Sequence, residues 1–427
     1  MRQSWVEGAN EPHGFGLNHL PFGVFYQHER THLCVRIGAF VLDLEACDRH
    51  ALLDDLAIEV RKACAEPTLH ALLSLGPDAW RPLRSVLTDI LSDPEGWAHY
   101  VPEMLLYPLN EVEIVQSIVP RGYTDFYASL HHARRIGEIF RPDTPLLPNY
   151  KHIPIAYNGR ASSIVLSGTR VARPCGQKRP LAPDALPIFE PAHALDYELE
   201  LAYVAGAGNP LGAPIPIAEA RAHLFGVTLL NDWSARDVQA WEYQPLGPFL
   251  GKSFATSISP WITPLEALEP FRVPVASRDV SDPRPLPHLW DDEDQRRGAF
   301  DMTLTVSLTT EASRAAQLEP FTISQANLRE MYWTPSQMLA HLTSNGCNLE
   351  PGDLLATGTI SGAKREEAGC LMERTRNGTE PILLPNSEQR AWLEDGDEVI
   401  LTARCEREGM PFIELGRCAG RIVSAAK

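Results

Sequence analysis

The chain has 427 residues, of which 44% are hydrophobic and 22% charged, so it is long enough for two globular domains of ordinary composition. Its formal net charge of −17 argues against nucleic acids and anionic membranes as partners held by bulk electrostatics, whereas a local cationic pocket for a small anion is compatible with it. No apolar run reaches the roughly 20 residues of a membrane span, and the N-terminus lacks the pattern of a signal peptide.

The cysteines indicate a reduced protein. All eight are scattered along the chain, and no two form a Cys-x-x-Cys pair. This spacing is typical of a cytoplasmic protein rather than of a zinc or disulfide scaffold.

The first hundred residues predict a small domain of their own. Alternating apolar residues predict strands and an apolar stripe predicts helices; the strands are 22–26, 34–37 and 40–44, and the helices 50–65 and 78–92. Three prolines in 94–108 predict a linker. We therefore divide the chain into residues 1–112 and 113–427.

The second region reads as short strands separated by Gly and Pro. Enrichment in Val, Ile, Leu and Thr supports the following strands: 163–166, 198–204, 227–230, 302–308, 354–356 and 398–403. Because few helices intervene, a mixed β-roll or β-sandwich is favoured over a doubly wound α/β fold, which makes the chain mainly β within the α+β class. The acidic run in segment 282–294 predicts a solvated turn rather than a metal site.

Three segments place carboxylates beside apolar residues, where burial without a partner is costly. They contain Asp125, the pair Glu198 and Glu200, and Asp232. Gathered in one place, these oxygens would suit a hard cation such as Ca²⁺ or Mg²⁺. Taken singly, the glutamate segment also fits an amphipathic strand with its acids in water, and Asp232 also fits a helix cap.

His132 is the candidate general base. It follows Asp125 by seven residues, so in a helix the two would share a face. A metal beside a titratable imidazole suggests metal-assisted hydrolysis. A lone histidine is more often structural, and the adjacent His131 would lie about 100° away on such a helix.

Further polar residues could surround a substrate. Arg236, Gln239 and Tyr243 share one face of a helix predicted near 234–241. Lys252, among small and aromatic residues, could donate to a developing oxyanion, although a surface lysine on a turn is the alternative. The Gly-flanked turn at Thr359 could wrap a ligand.

Seven segments, in chain order, resemble those of the fumarylacetoacetase family over nearly the whole chain. They are Tyr123-Thr-Asp-Phe-Tyr127 with His132 and Phe140-Arg141; Tyr157-Asn-Gly-Arg160; Glu198-Leu-Glu200; Asn231-Asp-Trp-Ser-Ala-Arg-Asp237; Pro245-Leu-Gly-Pro-Phe-Leu-Gly-Lys252; Ser344-Asn-Gly-Cys-Asn-Leu349; and Gly358-Thr-Ile-Ser-Gly362. The resemblance implies a small SH3-like N-terminal barrel, a larger β-roll catalytic domain and a homodimer.

The resemblance also implies a role for each candidate. The implied metal ligands are Asp125, Glu198, Glu200 and Asp232, with Lys252 and Thr256 around a second cation. The implied catalytic residues are His132, Glu373, Arg236 and Lys252. The implied substrate contacts are Tyr127, Arg141, Tyr157, Gln239, Tyr243 and Thr359.

The expected reaction is hydrolysis of a carbon–carbon bond in an anionic diketo acid, with Ca²⁺ or Mg²⁺ and no organic cofactor. Within enzymes, the alternative is another acylpyruvate-type hydrolase or decarboxylase. From another class, the alternative is a Ca²⁺-binding structural protein without turnover.

Overall fold

The structure is a computed structural model that describes residues 2–92, 105–180, 182 and 184–426. Most of the predicted linker, 94–104, therefore lies outside the described residues. No helix within the described ranges is long and apolar enough to cross a membrane. All eight cysteines fall within these ranges and are free thiols.

The N-terminal region folds around a small antiparallel sheet of five strands in the order β4-β3-β2-β1-β5. Numbered in chain order, they are β1 Phe22–Gln27, β2 Arg30–Ile37, β3 Phe40–Asp43, β4 Leu106–Pro108 and β5 Glu113–Val115. The helices of this region are Leu44–Arg49, Ile58–Cys64, His70–Ser74 and Pro77–Ser92.

Two details of this region differ from the sequence prediction. The predicted helix at 50–65 is confined to its second half, because a separate helix capped by Asp43 ends at Arg49 and the chain then turns with Ala51 at a φ of +59°. β5 pairs with β1, although it lies beyond residue 112. The two-domain division stays a proposal, and this pairing favours a boundary a few residues later.

The largest sheet has eight strands and carries three of the four predicted metal-ligating carboxylates. Seven of them run in the order β7-β6-β22-β13-β14-β16-β8, and β17 also pairs with β14. Their bounds are β6 Tyr123–Phe126, β7 Ala156–Asn158, β8 Ile164–Leu166, β13 Leu199–Ala205, β14 Leu224–Asp232, β16 Thr256–Ile258, β17 Thr263–Pro264 and β22 Leu354–Ala356.

A second sheet of five strands has the order β21-β20-β25-β26-β9. Its strands are β9 Arg170–Ala172, β20 Thr303–Thr309, β21 Phe321–Asn327, β25 Glu398–Cys405 and β26 Ile413–Val423. Four small pairs join β10 Cys175–Lys178 to β11 Ile188–Pro191, β12 Leu195–Asp196 to β15 Ser234–Ala235, β18 Arg272–Val273 to β19 Ala299–Phe300, and β23 Ile382–Leu383 to β24 Gln389–Arg390. The remaining α-helices are Leu130–Phe140, Ile217–Ala220, Arg236–Glu242, Asp292–Arg297, Glu311–Ala315, Pro335–Thr343 and Leu371–Arg374.

The large sheet is covered on both faces, which explains why every residue of β13 is buried. Leu201 and Tyr203 belong to the core shared with the second sheet. Ala202 and Val204, on the opposite face, belong to a core that also contains residues of the N-terminal region. A sheet buried on both faces needs apolar residues on both, so the strand reads as a nearly continuous apolar run.

The acidic run differs from the predicted solvated turn. Asp291 caps the helix Asp292–Arg297 by accepting from the backbone N–H of Asp294. The Asp294 side chain is buried and accepts a hydrogen bond of 2.8 Å from the Thr334 hydroxyl. The run therefore begins a helix and ties it to the helix Pro335–Thr343, whose N-cap is Thr334.

Candidate active site

Strand pairing gathers the four predicted metal-ligating carboxylates at one end of the large sheet. Asp125 lies on β6, Glu200 on β13 and Asp232 at the end of β14, while Glu198 immediately precedes β13. Each of the four offers a ligand oxygen, and these oxygens all lie within 4.8 Å of one another. All four residues are buried, so the alternative of an acidic strand face in water is wrong for the two glutamates.

Three of the four carboxylates have partners. The ammonium of Lys252 donates to both Glu198 and Asp232, and the Arg236 guanidinium lies 2.8 Å from Glu198. The backbone N–H of Gly358 donates to Asp125 at 3.1 Å.

Glu200 is the exception, because neither of its buried oxygens has a hydrogen-bond donor among the described residues. Burial and the neighbouring Asp125 raise the pKa of the Glu200 carboxyl well above its usual value. Burial also favours the neutral form of Glu198, but Lys252 and Arg236 hold the pKa of its carboxyl below the usual range. Unpartnered buried carboxylate oxygens beside other carboxylates fit a hard divalent cation, which takes oxygen ligands and offsets their mutual repulsion.

The two residues that the resemblance implies around a second cation, Lys252 and Thr256, both contact Asp232. The Thr256 hydroxyl donates to Asp232 at 3.2 Å, because the two residues are opposite one another on β14 and β16. Asp232 and Glu198 raise the pKa of the Lys252 ammonium despite its burial, so this side chain has no lone pair for a metal. Lys252 could therefore join such a site only through backbone oxygen.

His132 forms a buried pair with Glu373. Nδ1 of His132 lies 2.7 Å from Oε2 of Glu373, and the Ser361 hydroxyl donates to the same oxygen at 2.8 Å. Burial alone would raise the pKa of Glu373, but His132 and Arg135 lower it to about 2, so this carboxylate is charged at neutral pH. His131, by contrast, is partly exposed and lies 3.9 Å from Glu330.

A cavity of about 390 Å³ joins the carboxylates to the histidine. Eleven of the predicted site residues line it: Asp125, Tyr127, His132, Arg141, Tyr157, Glu198, Arg236, Gln239, Tyr243, Lys252 and Thr359. The other four, Glu200, Asp232, Thr256 and Glu373, do not line it. Its apolar walls include Ile136, Phe140, Leu146, Leu147 and Ile155.

Some polar groups of the cavity already have hydrogen-bond partners within the protein, and others do not. The Tyr157 hydroxyl donates to Asp232 at 2.7 Å, and Arg236 donates to the Gln239 side-chain oxygen at 3.2 Å. Nε of Arg141 and the hydroxyl of Thr359 are buried without a partner among the described residues. These two groups are therefore available to a ligand.

Sequence reasoning gave no role to Asp196 and overlooked Arg135. Asp196 accepts from Arg236 at 2.9 Å and from the backbone N–H groups of Leu371 and Met372 at 2.7 and 3.0 Å. It thus joins Arg236 to the short helix that carries Glu373. The strand is interrupted at residues 197–198, between Asp196 at the end of β12 and Glu200 on β13, and an alternating pattern in the sequence could not reveal this interruption.

Comparisons with known proteins cover both regions of the chain. Residues 121–423 match the family described as fumarylacetoacetate (FAA) hydrolase C-terminal, and residues 18–115 match fumarylacetoacetase N-terminal. Curated fumarylacetoacetases are similar over almost their full length. The one from Oryza sativa subsp. japonica is 43% identical over 99% of this chain and 97% of its own, and the one from Homo sapiens is 43% identical over 97% of each.

A solved structure supports the fold alone. Fumarylacetoacetate hydrolase from the psychrophile Exiguobacterium antarcticum gives a TM-score of 0.52 at 17% identity, covering 95% of this chain and all of that one. The site combines a buried carboxylate cluster with a buried histidine–glutamate pair beside one cavity, as in a metal-dependent enzyme. The chain belongs to the fumarylacetoacetase family.

Proposed function

We propose that the protein hydrolyses 4-fumarylacetoacetate to fumarate and acetoacetate, the last step of tyrosine and phenylalanine breakdown. The observation that carries the proposal is one cavity lined by His132, by cationic side chains and by Asp125 and Glu198 of the carboxylate cluster. The similarity to curated fumarylacetoacetases over almost the whole chain supports this substrate over others.

The carboxylates Asp125, Glu198, Glu200 and Asp232 would hold the divalent cation. Bound there, it would supply Lewis-acid polarisation of a substrate carbonyl. We propose Ca²⁺ or Mg²⁺, because all four ligands are hard oxygen donors. No organic cofactor is required by this chemistry.

His132 would act as the general base. Its Nδ1 is held by Glu373, which leaves Nε2 to accept a proton from water in the cavity. The hydroxide adds to a carbonyl carbon, and the carbon–carbon bond then breaks with its electron pair on the acetoacetate fragment as an enolate. The proton on the imidazolium passes to that enolate, so acetoacetate and fumarate leave and the base is regenerated.

Cationic and amide groups would stabilise the charges of this reaction. Lys252 and Arg236 lie on the carboxylate side of the cavity, where they could donate to the tetrahedral oxyanion, and the amide nitrogen of Gln239 is free to join them. Arg141 would bind a substrate carboxylate, with Tyr127 beside it. We assign Tyr157, Tyr243 and Thr359 to the same substrate-binding walls.

The oligomeric state and the cellular location are also proposals. We propose a homodimer on the strength of the family resemblance, and a cytoplasmic location because the free cysteines fit a reducing compartment.

A related acylpyruvate hydrolase or decarboxylase activity is the second candidate, because the carboxylate cluster alone does not select a substrate. A Ca²⁺-binding protein without turnover is less well supported, since a metal site needs no buried histidine–glutamate pair beside it.

The decisive experiment is the loss of ultraviolet absorbance of fumarylacetoacetate with the purified protein, with EDTA and with added Mg²⁺ or Ca²⁺. We expect rapid loss that EDTA abolishes and the metal restores. Absence of turnover by folded, metal-replete protein, together with turnover of shorter acylpyruvates, would replace the assignment by the second candidate.

A further inference from the structure

Arg135 connects the histidine–glutamate pair to the loop behind the cavity. It lies three residues after His132 on the helix Leu130–Phe140, so the two side chains share one helix face. Its Nη1 donates to Oε1 of Glu373 at 3.1 Å. Its Nη2 donates to the carbonyl oxygens of Gly362, Ala363 and Lys364 at 2.8, 2.7 and 2.9 Å.

The two oxygens of Glu373 have different partners. Oε2 receives hydrogen bonds from His132, Ser361 and the Cys370 thiol, at 2.7, 2.8 and 3.4 Å. For Oε1, Arg135 is the side-chain donor found among the described residues. A carboxylate held at both oxygens cannot rotate freely, so Arg135 fixes the plane in which Oε2 meets the imidazole.

The same guanidinium also holds the loop 361–364 against the helix. Ser129, the N-cap of this helix, donates to the Ser361 carbonyl at 3.1 Å, so the loop is bound near one end by Ser129 and further along by Arg135. Thr359, which lines the cavity, lies two residues before this loop. A lysine could reach one of these acceptors but lacks the planar fork that reaches all four.

We propose that Arg135 is a positioning residue for the reaction, fixing the orientation of Glu373 and thereby that of His132. This inference rests on the proposed function. Arg135 does not line the cavity, and its side chain is 19% exposed, so it acts through Glu373 rather than on the substrate.

The charge of Arg135 gives the inference a distinctive signature. The positive charge of Arg135 opposes protonation of the His132 imidazole, because it offsets part of the negative charge of Glu373 that would stabilise an imidazolium. In Arg135→Ala this offset is lost, so the imidazolium is stabilised and the neutral imidazole needed as a base forms only at higher pH. The acid limb of the kcat/KM profile should then move to higher pH, a change that mere loosening of the fold would not produce.

The test compares Arg135→Ala and Arg135→Lys with Arg134→Ala, a neighbouring exposed arginine on the same helix. We expect Arg135→Ala to lower kcat about 10- to 100-fold with little change in KM, and to shift the acid limb upward. Arg135→Lys should keep the wild-type acid limb while recovering part of kcat. Arg134→Ala should resemble the wild type in both.

Unchanged kcat and pH profile in folded Arg135→Ala would overturn the inference. The inference would also be overturned if kcat fell without any shift of the acid limb and Arg135→Lys were no better than Arg135→Ala. Arg135 would then be only a structural contact. Wild-type protein in the same assay separates the two claims: if the wild type does not turn over fumarylacetoacetate, it is the proposed function that fails.

Discussion

His132 owes its candidate role to its surroundings rather than to its residue type. Two adjacent histidines begin the same helix, yet only His132 is buried, paired with Glu373 and part of the cavity wall. His131 is directed away from this pair and lies near Glu330. A single step of about 100° around the helix therefore separates a candidate base from a partly exposed side chain.

Replacing His132 by alanine should lower turnover by about two to four orders of magnitude, the range of a lost general base. Bound metal per chain should stay near the wild-type value, since His132 is not among the four clustered carboxylates. Steady-state kinetics and metal analysis of the purified variant measure both, with His131→Ala as the matched control. Near-normal turnover of His132→Ala would remove His132 from the role.

Glu200 should couple the stability of the fold to divalent ions, because both of its oxygens lack a donor. In the wild type, Mg²⁺ or Ca²⁺ should raise the Tm and EDTA should lower it; an ion at 100 times its Kd contributes about 2.7 kcal/mol. Glu200→Gln should lose this response, while its metal-free form is at least as stable as the metal-free wild type.

Thermal unfolding with and without ions tests this. The control is Glu113→Gln, at an exposed residue of β5, which should keep the full response. An ion-induced rise in Tm that survives in Glu200→Gln would count against Glu200 as a ligand.

At the scale of elements, the segments of the site could be predicted from the sequence but their meeting point could not. The chain pattern places Asp232 at the end of an apolar strand, which matches the structure. His132 does lie on a helix, but the shared helix face with Asp125 is wrong, because Asp125 lies on β6 and the helix begins only at Leu130. Bringing Asp125 next to Glu200 depends on β22 lying between β6 and β13, and β22 begins 229 residues after Asp125. No local period encodes such a long-range register.

The helix Leu130–Phe140 depends on a glycine where the following loop folds back over it. A Cβ at Gly137 would lie 1.8 Å from the Pro145 carbonyl oxygen, so Gly137→Ala must displace the loop that carries Arg141 and Leu146. We expect the free energy of unfolding to fall by about 1 to 3 kcal/mol, as in overpacked cores. KM should rise several-fold, because this loop forms one wall of the cavity.

Urea unfolding and steady-state kinetics measure both effects. Glu138→Ala, on the exposed side of the same helix, should alter neither. Unchanged KM and stability in Gly137→Ala would mean that the loop moves without affecting the wall.

At the scale of the whole molecule, the N-terminal region is joined to the large sheet by hydrogen bonds and side-chain packing. The backbones of Phe22 and Ile262 exchange hydrogen bonds of 2.9 Å, and Trp80 packs edge-on against Phe225 at 5.0 Å. His19, fully buried, contacts the Gly14 carbonyl at 2.9 Å and the Thr263 hydroxyl at 2.8 Å. The sequence predicted a small domain there but not these contacts, whose partners from the two regions are 145 to 244 residues apart.

His19 should make the stability of the protein sensitive to acid. Burial, opposed by the Gly14 hydrogen bond and aided by Arg84 and Arg36, lowers the pKa of His19 from 6.5 to about 3. The unfolded chain therefore binds a proton that the folded chain does not, so this contribution is complete above pH 6.5 and is lost as the pH falls toward 3. Its slope is at most about 1.4 kcal/mol per pH unit.

Urea unfolding between pH 7.5 and 5 tests this prediction. His19→Gln should be less stable at neutral pH but should lose stability less steeply on acidification than the wild type, and exposed His28→Gln should follow the wild type. Parallel curves for wild type and His19→Gln would show that other groups dominate the acid response.

The unpartnered Glu200 and the three carboxylates beside it also bear on the lifetime of the protein in a cell. Without an ion, the repulsion among these carboxylates destabilises the large sheet, which lies between the two hydrophobic cores. A chain without the ion therefore spends more time unfolded than a chain that binds it. Chaperones and proteases act on that unfolded fraction, and changes of one or two kcal/mol can alter abundance several-fold. Scarcity of divalent ions would then reduce the amount of enzyme as well as the activity of each molecule.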